Sequence, residues 1–237
     1  MRRRDAGDVA LLGRLADRLA VGDVALPSGD VFTPERLQML GMPFGMSTGF
    51  DALHWLLDAV DLDADGVPSE AFRAGVAAQT GFDENPLYGV LHEPIYHQGH
   101  WGGGWAAQAE HDRHPEFAAG ARPLLLTGEM FFPWAFEQIR SLRPFRGVAE
   151  ELAAARDWPV VYDAERLAAN EVPVAALQYY DDPYVDLELA LETAKAVGNT
   201  TVWVTNEYLH DGLRFAGAVI MPLLMDLPSG RRAGTGR

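Results

Sequence analysis

The sequence predicts an α/β chain: a helical first part, then strand, helix, strand and helix. Apolar residues recur at helical spacing through the first half. Two short apolar runs rich in strand-forming residues, 172–180 and 200–205, stand only in the last third. Each is followed by a helical segment, the order that winds helices around a parallel sheet. A chain of 237 residues, 48% hydrophobic, can build one compact domain or two small ones.

In chain order, Leu11, Leu12, Leu15 and Leu19 put a helix over 8–21. Thr33 before Pro34-Glu35-Arg36 reads as an N-cap with proline at the first helical position. Leu53, Trp55, Leu56 and Leu57 mark an amphipathic helix over 50–60, and 69–79 reads the same way. Gly99, Gly102, Gly103 and Gly104 make a loop around His100 and Trp101. The stretch 124–134 is apolar, interrupted by Gly128-Glu129, and 148–156 is helical. The last third gives a strand over 172–180, a helix over 187–197, a strand over 200–205 and a helix over 212–224. The expected division is a helical module over 1–145, a βαβα module over 146–226 and a disordered tail over 227–237.

Charge narrows the function. A formal net charge of -15 repels phosphate backbones and anionic membrane surfaces, so neither nucleic acid nor membrane is expected as a partner. The chain has no cysteine, which excludes disulfides and thiolate chemistry. Met1-Arg-Arg-Arg-Asp5 has the charge of a leader peptide, but no apolar stretch follows it. Nor does any apolar run approach the roughly 20 residues that span a bilayer. The expectation is a cytoplasmic protein.

The strongest chemical constellation is Asp182 with His210. Tyr179-Tyr-Asp-Asp-Pro183 lies at the carboxyl end of the first strand, and Asn206-Glu-Tyr-Leu-His210 just beyond the second. Functional groups of open parallel sheets collect at those ends. A carboxylate accepting the Nδ1 proton of an imidazole fixes its tautomer and stabilises its charged form, the orienting half of a serine-hydrolase triad. Spacing alone leaves open a solvated loop aspartate and an incidental histidine.

The runs Val172-Pro-Val, Tyr179-Tyr-Asp-Asp-Pro-Tyr-Val185 and Trp203-Val-Thr-Asn-Glu-Tyr-Leu-His-Asp-Gly-Leu-Arg214 resemble the end of the prolyl aminopeptidases (proline iminopeptidases), serine peptidases of the α/β-hydrolase superfamily. The likeness extends through Leu91-His-Glu-Pro-Ile-Tyr-His-Gln-Gly99, Thr127-Gly-Glu-Met-Phe-Phe-Pro-Trp134, Asp157-Trp-Pro and Leu167-Ala-Ala-Asn-Glu-Val-Pro173, and covers about 26–224. It implies a partial α/β-hydrolase fold, mainly a helical cap followed by the last strand-helix-strand-helix of the sheet. It also implies Asp182 and His210 as triad acid and base, with Asp181 as the fallback acid. Glu93 and Glu129 match the cap glutamates that grip the free amine of the substrate, a task suited to charge-assisted hydrogen bonds. Tyr96 and Trp134, with Phe131 and Phe132, are placed to pack a proline ring; the same aromatics suit the cap's own core. No cofactor is implied.

The departure is the nucleophile. The family's Gly-x-Ser-x-Gly-Gly elbow precedes the cap, and this chain starts where the cap should start. Gly45-Met-Ser-Thr-Gly49 fits the pattern on paper, but an elbow follows a core strand. Leu40-Gly-Met-Pro-Phe-Gly45 contains Gly and Pro and no β-branched residue. Ser47 is expected to cap the helix starting near Phe50. The chain alone is therefore expected to lack triad-dependent activity, with a missing N-terminal half as the natural partner. The substrate implied is a peptide with N-terminal proline or a small amide. An esterase or amidase of the same superfamily, or a non-catalytic binding remnant, are the alternatives.

Two metal patterns are weak. Asp61-Leu-Asp-Ala-Asp-Gly66 opens like a calcium loop, yet its twelfth position is Phe72 where a bidentate Glu is needed. His97, His100, His111 and His114 form two His-x-x-His pairs, but Gly99 and Gly102 undercut the helix the first pair needs, and no carboxylate ligand is clearly placed. No bound metal is expected.

Overall fold

A computed structural model describes residues 6–231 and 234. The charged start at 1–5 and tail residues 232, 233 and 235–237 lie outside the described residues, and with them the end of the expected tail. The architecture is mixed helix and strand, as an α/β reading requires. Two compact units result: Met1–Met42 with Phe50–Pro159, and Pro43–Gly49 with Val160–Arg237.

The first unit is built from helices α1 (Ala6–Leu19), α2 (Pro34–Gln38), α3 (Gly49–Asp58, its first residue in the second unit), α4 (Glu70–Thr80), α5 (Pro86–Leu91), α6 (Ala106–Arg113), α7 (Ala135–Gln138) and α8 (Arg146–Ala154), joined by 3-10 turns. Their starts follow the sequence chemistry. The Thr33 hydroxyl accepts the Arg36 N–H at 3.2 Å, and Ser69 accepts that of Phe72 at 3.2 Å, so each satisfies an orphan helix donor. The apolar stretch 124–134 is irregular, yet it supplies core: Phe131 is fully buried among Met39, Val90, Phe136, Ile139 and Leu142. Burying each of those phenylalanines contributes roughly 1.5–3 kcal/mol.

The glycine loop is less irregular than its composition implies. Strand β1 (Gly99–His100) pairs antiparallel with β2 (Asp157–Trp158). The Trp101 N–H donates to the Arg156 carbonyl at 2.6 Å and the Gly104 N–H to that of Ala153 at 2.7 Å. Gly104, at φ +95°, takes a backbone region that a β-carbon disfavours.

The second unit holds α9 (Ala164–Ala168), β3 (Val174–Tyr179), α10 (Leu187–Ala196), β4 (Thr200–Thr205) and α11 (Gly212–Asp226). The expected strand-helix-strand-helix order is present. β3 and β4 pair in parallel, from Val174 opposite Thr200 to Tyr179 opposite Thr205. Asp186 caps α10 by accepting the Leu189 N–H at 3.0 Å. Trp203, Ile220 and Leu227 form the buried centre of this unit. α11 carries Pro222, which has no N–H to give to the helix, and departs from helical geometry at Ala216.

Candidate functional site

Strand register sets the site. Tyr179 and Thr205 are opposite at the carboxyl ends of β3 and β4, and the Tyr180 N–H extends the pairing to the Thr205 carbonyl at 2.8 Å. The loops that follow therefore leave side by side. Asp182 stands in the first and His210 in the second, and Asp182 Oδ2 lies 3.0 Å from His210 Nδ1.

The carboxylate is held before the histidine reaches it. Its Oδ1 accepts the N–H of Tyr184 at 2.9 Å and of Val185 at 3.3 Å. The Asp182 side chain is only 4% exposed, whereas that of His210 is 42% exposed. A dry, fixed acceptor facing a reachable imidazole is what a general base requires. With Nδ1 committed to Asp182, Nε2 is the nitrogen left to exchange a proton, and it has no partner among the described residues. The Tyr184 ring stands edge-on to the imidazole at 5.0 Å. Beneath them the Tyr179 hydroxyl accepts the Leu213 N–H at 3.0 Å, and burial pushes its phenol up from the ordinary value, which keeps it neutral. Gly212 has to be glycine here, because a β-carbon would sit 2.7 Å from the Tyr179 ring. An open recess of about 440 Å³ beside the imidazole is lined by Met46, His210, Asp211, Leu213 and Arg214.

Glu93, Glu129, Tyr96 and Trp134, expected to hold the amine and the ring, lie in the first unit. His92 Nε2 is 3.1 Å from the Glu129 carbonyl, which puts the segments bearing Glu93 and Glu129 next to each other. The Glu93 carboxylate has a structural task that the sequence did not show. Its oxygens accept the N–H groups of Ala106 at 2.9 Å and Ala107 at 2.8 Å, capping α6, whose own N-cap residue Trp105 makes no side-chain bond. Tyr96 is 79% exposed, free to meet another molecule. Trp134 is half-buried, packs on the core cluster of the first unit and stacks on Phe132 at 6.0 Å.

Burial holds the His92 and His97 imidazoles below their ordinary value of 6.5. Protons then bind the unfolded chain more readily than the folded one. The stability tied to neutral His92 and His97 is fully present above pH about 6.5 and is lost as pH falls through the lower folded values. Urea midpoints at pH 7 and pH 5 should therefore differ, and by less in His92→Gln. An unchanged difference in that variant would remove His92 from the account.

Gly45-Met-Ser-Thr-Gly49 is no elbow: a 3-10 helix, Met39–Gly45, runs into it, not a strand. Ser47, expected to cap the helix near Phe50, has a distant partner. Its hydroxyl donates to Asp211 Oδ2 at 2.8 Å, and its N–H to Asp211 Oδ1 at 3.0 Å. The Asp61–Gly66 turn closes on itself, with Asp63 Oδ1 accepting the N–H of Asp65 at 3.0 Å and of Val67 at 2.8 Å. The four loop histidines have separate partners: Trp101 and Trp158 for His97, Asp157 for His100, the Phe117 carbonyl for His111 and Glu116 for His114. No cluster of three metal-ligating side chains occurs among the described residues, nor does any helix there have the length and apolarity to cross a membrane.

No protein-family profile matches the chain. Individual proteins do. It is 41% identical over 219 residues to a proline iminopeptidase of Aeromonas sobria, covering 92% of this chain and 51% of that protein. It is 34% identical over 227 residues to proline iminopeptidase aneH of Aspergillus aculeatus, covering 94% of this chain and 50% of that one. The chain thus spans about half the length of the curated relatives it matches.

Proposed function

The chain is related over nearly its whole length to the prolyl aminopeptidase family, and on that premise we propose that it forms the cap and C-terminal part of an α/β-hydrolase that removes proline from peptide N-termini. The observation that carries this reading is the 3.0 Å contact between Asp182 and His210 at paired strand ends. A serine on a further segment attacks the carbonyl of the N-terminal proline. His210 Nε2 takes the serine proton and then delivers it to the departing amine. Asp182 keeps the imidazole in the tautomer that allows this. Glu93 and Glu129 hold the substrate ammonium, which makes the enzyme exo-acting, while Tyr96 and Trp134 flank the ring. No cofactor enters.

In this reading residues 1–145 are cap and 146–226 the C-terminal hydrolase portion, although α8 and β2 belong to the first compact unit, which runs to Pro159. A larger sheet is supported by the surfaces left open. Every residue of β3 is only half-buried, although apolar parallel strands are ordinarily covered on both faces. Phe215, Val219 and Met225 on α11 are also exposed.

The test joins this chain to the nucleophile-bearing part of a proline iminopeptidase. Glu129→Ala is expected to lower kcat/KM for proline amides by about 10- to 100-fold, the worth of one hydrogen bond to a charged group. Glu93→Ala should do the same and also destabilise α6 by about 1 kcal/mol, read as a lower denaturation midpoint. Unchanged proline-amide turnover in both variants would sink the aminopeptidase reading. The capping of α6 by Glu93 favours a second reading, an esterase or amidase that needs no amine grip; turnover of simple esters untouched by either substitution would support it.

A further inference from the structure

We infer that the Gly45-Met-Ser-Thr-Gly49 loop positions His210, so that the segment resembling a nucleophile elbow serves the base instead. The inference rests on the triad reading above, because positioning matters only if His210 must stay on Asp182.

His210 lies five residues beyond β4, in a loop with no strand or helix of its own to fix it. Its main-chain N–H donates to the Gly45 carbonyl at 3.0 Å. The next residue, Asp211, accepts both the N–H and the hydroxyl of Ser47. The peptide carrying the imidazole is therefore tied to one loop from both sides. Asp211 is the N-cap residue of α11, a place where aspartate ordinarily accepts a helix N–H. Here it makes no side-chain cap bond. Its carboxylate is spent on Ser47.

Packing adds a second hold. A β-carbon on Gly45 would sit 2.2 Å from the Tyr184 ring, so glycine lets that ring close onto the loop. The same ring stands edge-on to His210, and the Tyr184 N–H donates to Asp182 Oδ1. Gly49 closes the loop against the Pro43 carbonyl, 1.9 Å from where its β-carbon would be. Loop, tyrosine, acid and base thus form a closed ring of contacts. Ser47 and Asp211 are positioning residues; they touch no reacting atom.

The experiment uses the isotope-labelled chain itself. Two local signals are read by magnetic resonance: hydrogen exchange of the His210 amide and the Nδ1–H correlation of its imidazole. Ser47→Ala is expected to speed His210 amide exchange about tenfold, as loss of a hydrogen bond to a carboxylate implies. It should also move the Nδ1–H signal towards that of a free imidazole, while Val202 and Trp203 amides in β4 stay as they were. Ser47→Thr, which keeps the hydroxyl, should restore both signals. If Ser47→Ala does not fold, Asp211→Asn is read in the same way. A folded variant with unchanged His210 exchange and an unchanged imidazole signal overturns the inference. Asp182→Asn separates the two claims. If it leaves the Nδ1–H signal in place, the triad reading fails; if it removes the signal while Ser47→Ala does not move it, only the positioning role fails.

Discussion

Asp182→Asn is expected to lower kcat by roughly 10⁴ in a polypeptide that joins this chain to a nucleophile-bearing segment, with little change in fold. Asparagine has nearly the same shape. Its oxygen can still accept the N–H groups of Tyr184 and Val185, which hold Asp182 Oδ1 now. The amide NH₂ then faces His210 Nδ1 in place of Oδ2. An imidazole that accepts at Nδ1 carries its proton on Nε2, the nitrogen that should take the serine proton. Asp181→Asn serves as control. That residue is exposed, and the carboxylate beside His210 belongs to its neighbour, so full activity should remain. The measurement is kcat on a chromogenic proline amide. A full rate in Asp182→Asn, or a collapse in Asp181→Asn, would reassign the acid.

What could be read in the sequence was whatever is local or set by one strand pair. Thr33 and Ser69 cap helices because a hydroxyl three residues before an N–H can reach it. Asp182 and His210 were legible because two parallel strands of six residues end level with each other. The remainder depends on distant partners. Ser47 meets Asp211 across 164 residues, and no spacing rule connects them. Glu93 caps a helix that begins 13 residues later, from outside its own N-cap position. A carboxylate in an apolar motif looks the same in sequence whether it faces a substrate or a helix end. The stretch Pro43–Gly49 reads as a lead-in to α3, yet it belongs to the unit of β3 and β4. Only the fold shows that.

The first unit should depend heavily on Asp30, a residue with no role in the chemistry. Asp30→Asn is expected to cost about 3–5 kcal/mol, the usual penalty for stranding a buried charge. Asp30 is 2% exposed and Arg36 is fully buried. Asp30 Oδ2 lies 3.5 Å from Arg36 Nη1 and also accepts the Arg140 N–H at 3.1 Å and the Ser28 hydroxyl at 3.0 Å. Arg143 closes on Oδ1. The guanidinium has one good hydrogen bond, from Nε to the Thr80 hydroxyl at 2.6 Å, while Nη1 and Nη2 make none. Burial pulls the Arg36 pKa down and Asp30 opposes that, but an arginine does not give up its proton at any working pH. Neutralising Asp30 therefore leaves a dry cation with only a hydroxyl to meet it. Arg36→Met removes that cation. The double variant should recover most of the loss, since an apolar side chain of similar volume replaces a buried charge at little cost. Urea unfolding of the wild type, both single variants and the double variant gives the coupling directly. Additive losses would mean that the two residues do not act as a pair, and that the missing bonds of Arg36 are met some other way.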